Sequence, residues 1–194
     1  VPMLVAPLVA IFASGTFGWI AALVASAASL CLSVALLNTV NDHGVISYAM
    51  GDWLAPWGIE YRIDKLNALV ALLVSGVSTV VLPFARSSLQ AEISPDREYL
   101  LYTCWLLCLA GLLGITVTGD AFNVFVFLEI SSLSTYVLVS LASRREAQLA
   151  AFRYLIMGTV GATFILIGIG LLYMKTGTLN MADLAELLPG VAHS

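Results

Sequence analysis

The strongest constraint on this chain is a series of apolar runs, each close to 20 residues long and almost free of charge, separated by short polar stretches. A hydrocarbon core about 30 Å thick needs about 20 helical residues at about 1.5 Å of rise each, so such runs read as membrane-spanning helices. Their apolar residues are nearly continuous, whereas the strands of a transmembrane barrel alternate with a period of two. Helices also satisfy their own backbone polar groups, which lipid demands. Composition agrees: 60% of the residues are hydrophobic and 10% charged, against about 45–50% and about 25% in a soluble domain, and the mean hydropathy is +0.98. The expected fold is all-α, a polytopic transmembrane bundle of about six helices forming one domain over residues 1–194.

Hydropathy places the helices near 2–14, 17–38, 65–85, 99–118, 121–142 and 153–174, with a break at "SGTFG" between the first two. The first charge in the chain is Asp42. An uncharged opening of that length is too long for one span and slightly short for two with a turn, so a few further residues are expected before Val1. No basic region precedes the opening run, which argues against a cleavable signal peptide.

Positive charge sets the orientation. The loops at 86–98 and 143–153 hold Arg86, Arg97, Arg144, Arg145 and Arg153, whereas the loop at 38–65 and the tail hold Arg62, Lys65 and Lys175. The arginine-rich side is expected in the cytoplasm and both ends of the chain outside, in a bacterial cytoplasmic (inner) membrane. Residues 39–64 then read as an ordered external cap with one or two short strands and two interfacial tryptophans. The tail reads as an external amphipathic helix near 181–188: Asn180 caps it, Met181, Leu184, Leu187 and Leu188 form one face, and Pro189 with Gly190 stops it. Gly158, Gly161, Ala162, Gly168 and Gly170 thin the sixth helix for close packing.

Several functions find no support. The net charge of −4 and scattered basic residues do not suit nucleic acid. Cys31, Cys104 and Cys108 lie in apolar runs without zinc spacing, and His43 stands alone, so no metal is expected. No cysteine cluster, glycine-rich phosphate loop or intramembrane histidine provides for a redox cofactor, so none is expected. An intramembrane protease would need His-Glu-x-x-His or a mid-depth serine or aspartate pair, and neither is present.

The exceptional stretch is "TGDAFNVFVFLEISSLSTYVLVSL", residues 118–141. Asp120 stands where a carboxylate caps a helix N-terminus and meets the positive end of its dipole. Glu129 lies nine residues further on, about 13–14 Å deeper and near mid-membrane. A charge there costs about 2.5–3.5 kcal/mol even on the lenient insertion scale, and such groups usually face protein or water. Burial favours the neutral acid and a nearby cation favours the anion, so a site pulled both ways can load and release a proton. Ser132 and Phe125 share the face of Glu129, and Ser131, Ser134 and Thr135 add hydroxyls within the following turns. These hydroxyls either extend a hydrogen-bonded path or bond back to helix carbonyls. Glu129 itself is either a proton-exchanging site or a permanently protonated structural group. Lys65 and Arg153 stand at the edges of their spans and no Lys or Arg lies inside any of the six, so a cationic partner at mid-depth is not expected in this chain.

This stretch resembles the fifth transmembrane helix of the antiporter-like subunits shared by respiratory complex I, Mrp-type Na⁺/H⁺ antiporters and membrane-bound hydrogenases. "GDWLAPWGIEYRIDKLNALVALL" resembles that family's loop into the third helix, and "AFRYLIMGTVGATFILIGIGLLYMKTGTLNMADLA" its sixth helix and the following segment. The wording is closest to the D-type branch of the Mrp antiporters. The resemblance implies that Glu129 pairs with a lysine on a seventh helix, in a fold of about fourteen helices built as two inverted repeats, each with a broken helix. That lysine and the second repeat lie outside these residues, so a fragment or a split gene is expected. It further implies H⁺ translocation, with or without Na⁺, among other membrane subunits in a lipid bilayer. Any NADH–quinone oxidoreductase chemistry would belong to partner subunits. The competing expectation is a non-transporting scaffold or assembly subunit of the same type of complex.

Overall fold

The computed structural model describes residues 1–55 and 57–191. Seven α-helices run in the order α1 Pro2–Phe12, α2 Gly15–His43, α3 Lys65–Glu92, α4 Glu98–Val117, α5 Ala121–Ser140, α6 Arg145–Thr176 and α7 Met181–Val191. Between α2 and α3, β1 (Ile46–Ala49) pairs antiparallel with β2 (Glu60–Ile63), with Ile46 opposite Ile63 and Ala49 opposite Glu60. Among the described residues, five helices, α2 to α6, are long and apolar enough to cross a membrane. The chain is therefore an all-α membrane bundle with a small hairpin at one end.

Three helices run longer than the hydropathy reading, whereas α1 and α5 each end two residues before the expected 14 and 142. α2 runs on through Asn38–His43, α3 continues past Pro83 to Glu92, and α6 begins at Arg145, ahead of the expected 153. Hydropathy falls where polar residues begin, but a helix continues until a cap or stop is reached. Ser14, Asp64 and Asp120 supply caps for α2, α3 and α5. Gly44 at φ 84° and Gly177 at φ 73° end α2 and α6, conformations that a Cβ would strain. α1 is only 11 residues long, short of a span. α7 does not stop at Pro189 but continues to Val191, because proline removes only one hydrogen bond and this helix end is exposed to solvent or headgroups.

The core joins the first four helices around Val9, Ala22, Ala25, Leu82, Leu101, Tyr102 and Leu106, all buried. A line of buried serines threads this core. Ser26 Oγ and Ser78 Oγ are 3.0 Å apart, Trp105 Nε1 donates to Ser78 Oγ at 2.9 Å, and Ser75 Oγ donates to Ser33 Oγ at 3.3 Å. Ser29, Ser33 and Ser75 also donate to carbonyls one turn back, so each hydroxyl is satisfied within protein.

α5 packs on α4 on one side and on α6 on the other. The α4 contact depends on Gly111 and Gly114. A Cβ at Gly111 would lie 2.7 Å from both the Phe127 carbonyl oxygen and the Ser131 nitrogen, which are backbone atoms that cannot rotate away. Across α5, Tyr136 fills the space left by Gly158 and stacks edge-on against Tyr154 with ring centroids 4.7 Å apart. The glycines of α6 thus divide: Gly158 serves an internal contact, whereas Gly161, Gly168 and Gly170 face open space. Gly111→Val should lower stability in detergent by about 1–3 kcal/mol through overpacking, whereas Gly161→Val should leave the melting midpoint near that of the parent.

At the hairpin end, β2, the α4–α5 turn and the α6–α7 loop are stitched together. Tyr61 bridges Thr118 and Asp120 bridges Asn180. Gly119 N–H donates to the Glu60 carbonyl at 2.8 Å, Ala121 N–H to the Leu179 carbonyl at 2.9 Å, and Met181 N–H to the Gly119 carbonyl at 2.8 Å. The Glu60 carboxylate accepts from Ser47 Oγ and, at 2.8 Å, from Asn180 Nδ2. Those two bonds hold its carboxyl below the usual carboxylate range, burial opposes them, and the Arg62 charge adds to the lowering. A lowered native pKa stabilises the fold above the unfolded carboxyl value, and that contribution is lost as pH falls through the native one. Amide exchange at Gly119 and Met181 should therefore show protection that falls below the carboxylate range, and Glu60→Gln should remove the part of that acid dependence due to this group.

Candidate functional site in the fifth helix

The start of α5 is held by side chains as well as by its neighbours. Asp120 is 9% exposed, and its Oδ1 accepts from Asn123 N–H at 2.8 Å. Thr118 Oγ1 accepts from Asn123 Nδ2 at 3.1 Å and from Asp120 N–H at 3.4 Å. A carboxylate here satisfies a free N–H and meets the positive end of the helix dipole. Asn caps about as well as Asp, so Asp120→Asn should cost a few tenths of a kcal/mol and Asp120→Ala about 1 kcal/mol. Thermal unfolding of the two variants separates the cap from the charge.

Beyond its first turn, α5 has two distinct sides. Phe127 and Ser131 lie against Gly111 and Gly114 of α4, and Thr135 Oγ1 is 3.5 Å from Cys108 Sγ of the same helix. Ser131, Ser134 and Thr135 donate to the carbonyls of Leu128, Ile130 and Ser131 at 2.9, 2.7 and 2.8 Å. The protons of these three hydroxyls are thus committed to carbonyls of their own helix. At about 100° per residue, Glu129 lies about 160° around the helix from Ser131, away from α4. It shares a face with Phe125, Ser132 and Tyr136, the last being two turns further on and packed against α6.

Glu129 is half-buried, as are Phe125 and Ser132. Among the described residues, its carboxylate makes no hydrogen bond or ion pair. Arg153 falls within α6, whose start lies earlier than hydropathy suggests, but it is exposed and adjoins Tyr154, at the level of Tyr136. That is seven residues, or about 10 Å of rise, from the level of Glu129. The structure thus brings Glu129 together with Ser132 and Phe125, and separates it from Ser131, Ser134, Thr135 and Asp120.

Sequence reasoning missed the partners that fix this helix: Thr118, Asn123, and the side chains of Glu60 and Asn180. The Asp-x-x-Asn spacing at 120–123 was a readable signal. The Glu60–Asn180 bond spans 120 positions and leaves no local pattern. The serines of α2 and α3 recur at helical spacing and were also legible as one buried line.

A half-buried carboxylate midway along one long apolar helix sets this polytopic membrane bundle apart. Residues 118–194 match the transmembrane family described as NADH:quinone oxidoreductase/Mrp antiporter. The NADH-quinone oxidoreductase subunit N of Desulforudis audaxviator is 46% identical over 162 residues, covering 84% of this chain and 32% of that protein. The D-type subunit of the Na(+)/H(+) antiporter of Alkalihalophilus pseudofirmus is 33% identical over 156 residues, covering 80% and 31%. A chain of the membrane-bound sulfane sulfur reductase, an archaeal respiratory membrane complex, superposes with a TM-score of 0.87 at 31% identity, over 98% of this chain and 39% of that one. The chain belongs to the antiporter-like membrane subunits of the NADH:quinone oxidoreductase and Mrp antiporter type. It spans about a third of the length of the curated relatives it matches. The fifth-helix wording resembles the Mrp D-type branch, while the identity is higher to the oxidoreductase relative.

Proposed function

We propose that the chain is part of a proton-translocating, or Na⁺/H⁺-translocating, membrane subunit and that Glu129 is its intramembrane proton-exchanging carboxylate. The observation that carries this reading is the position of Glu129: mid-helix and half-buried, on the side of α5 turned from α4, with its face free of the back-bonded hydroxyls. A carboxylate kept at such depth usually serves an ion or proton route, because its insertion cost otherwise goes uncompensated. Relatives named as subunits of an NADH-quinone oxidoreductase and of a Na(+)/H(+) antiporter support an assembly that moves ions.

In this reading residues 1–194 form one transmembrane unit, the hairpin end lies outside, and the arginine end lies in the cytoplasm of a bacterium. Other membrane subunits, or a further part of the same protein, supply the cation that Glu129 faces. Redox chemistry, where the host assembly has any, resides in other subunits.

The test is Glu129→Gln in the native assembly, with ion transport measured in vesicles and subunit abundance measured alongside. Transport should fall to the background of vesicles lacking the complex while abundance is retained. Transport at the parental rate would remove the proton role and leave the scaffold reading, which the exposed length of α6 supports. On that reading the damaging change is a bulky residue at Gly161, where nothing within this chain is displaced.

A further inference from the structure

Three of the bonds at the hairpin end converge on one residue. Glu60 holds three segments far apart in sequence: Ser47 of β1 and Asn180 of the α6–α7 loop through its carboxylate, and Gly119 of the α4–α5 turn through its carbonyl. Asn180 is 3% exposed, and while its Nδ2 donates to Glu60, its Oδ1 accepts from Ala182 N–H at 2.9 Å and Asp183 N–H at 3.2 Å, capping α7. The turn that starts α5 is therefore gripped on both sides, by Glu60 on one and by Leu179 and Met181 on the other.

This grip lies at the first turn of α5. On α4, Phe127 and Ser131 of α5 fill the space at Gly114 and Gly111, and the contact of Tyr136 with Gly158 on α6 lies toward the opposite end. At the hairpin end, backbone bonds and the Glu60–Asn180 pair set the position of α5.

We propose that the Glu60–Asn180 pair is a positioning clasp for ion translocation, fixing the height and tilt of α5 and so the placement of the Glu129 carboxylate against α6 and what packs beside it. The clasp rests on the transport reading for its functional consequence and on its own geometry for its structural one. Glu60 touches no reacting group and acts through α5. A carboxylate paired with a buried amide suits the task, because a charge-assisted bond is stronger and more directional than a neutral one.

The pair can be reversed without changing its shape. Glu60→Gln weakens the acceptor facing Asn180 Nδ2, and Asn180→Asp sets two carboxylates against each other. An aspartate remains as good a cap for α7 as an asparagine. In the double variant, the glutamine amide introduced on β2 donates to the carboxylate introduced ahead of α7 and still accepts from Ser47.

The experiment compares Glu60→Gln, Asn180→Asp, the double variant and Glu129→Gln in the native assembly. Amide exchange over residues 118–124 and 178–183, subunit abundance, and the half-saturating ion concentration and maximal rate of transport are measured together. Each single variant should speed exchange about tenfold and shift the half-saturating concentration about three- to tenfold at parental abundance. The double variant should return both toward the parent. Unchanged exchange in the singles, or a double no better than either single, overturns the clasp. Restored exchange without restored transport overturns its positioning role. Parental transport in Glu129→Gln sinks the transport reading instead, and the exchange series then decides the clasp as a structural element alone.

Discussion

Lipid offers no partner for a peptide N–H or C=O, and this constraint orders the molecule. It makes the five long segments helical and pushes irregular backbone to the two ends. The loops that remain must then satisfy one another. At the hairpin end they do so through a layer of backbone bonds joining β2, the α4–α5 turn and the α6–α7 loop. Within the bundle, polar side chains follow the same rule: serines of α2 and α3 pair across helices or bond back along their own.

Against that background Glu129 is the exception. Ser131, Ser134 and Thr135 bond back to carbonyls of α5, and the acid lies with Ser132 on the side turned from α4. Its surroundings within this chain are half open, as is much of α6, of whose apolar stretch only 6% is buried. The two features coincide on one side of the bundle. The most exposed helix and the midway carboxylate belong to the part of the chain that also matches the family's transmembrane region.

Much of this was legible in the amino-acid sequence because its physical causes are local. Apolar run length fixes a helix, and a carboxylate after a glycine marks a helix start, so α2 to α6 and the place of Asp120 could be read directly. The hairpin was legible from its mix of aromatic, β-branched and turn residues. Helix ends were less so: α6 opens on the charged Arg145 and Glu146 and α3 closes on seven residues that include Arg86 and Glu92, and hydropathy alone does not see such ends as helical. The break expected at Pro189 failed because a proline near an exposed helix end costs little. Which hydroxyls face Glu129 depends on which flank α4 occupies, and that is settled only when Gly111 meets Phe127 and Ser131. The clasp was invisible for a related reason, since Glu60 and Asn180 meet only after six helices have been placed.

The serine line in the first core has its own mechanical consequence. Hydroxyl pairs at two levels, Ser26 with Ser78 and Ser33 with Ser75, act like pegs along the seam between α2 and α3, and the Trp105 indole pins α4 to the first of them. Sliding either helix along the seam would part both pairs, although Ser33 and Ser75 would keep the carbonyls of their own helices. The two pairs and the indole thus set the axial register of α2, α3 and α4 against one another.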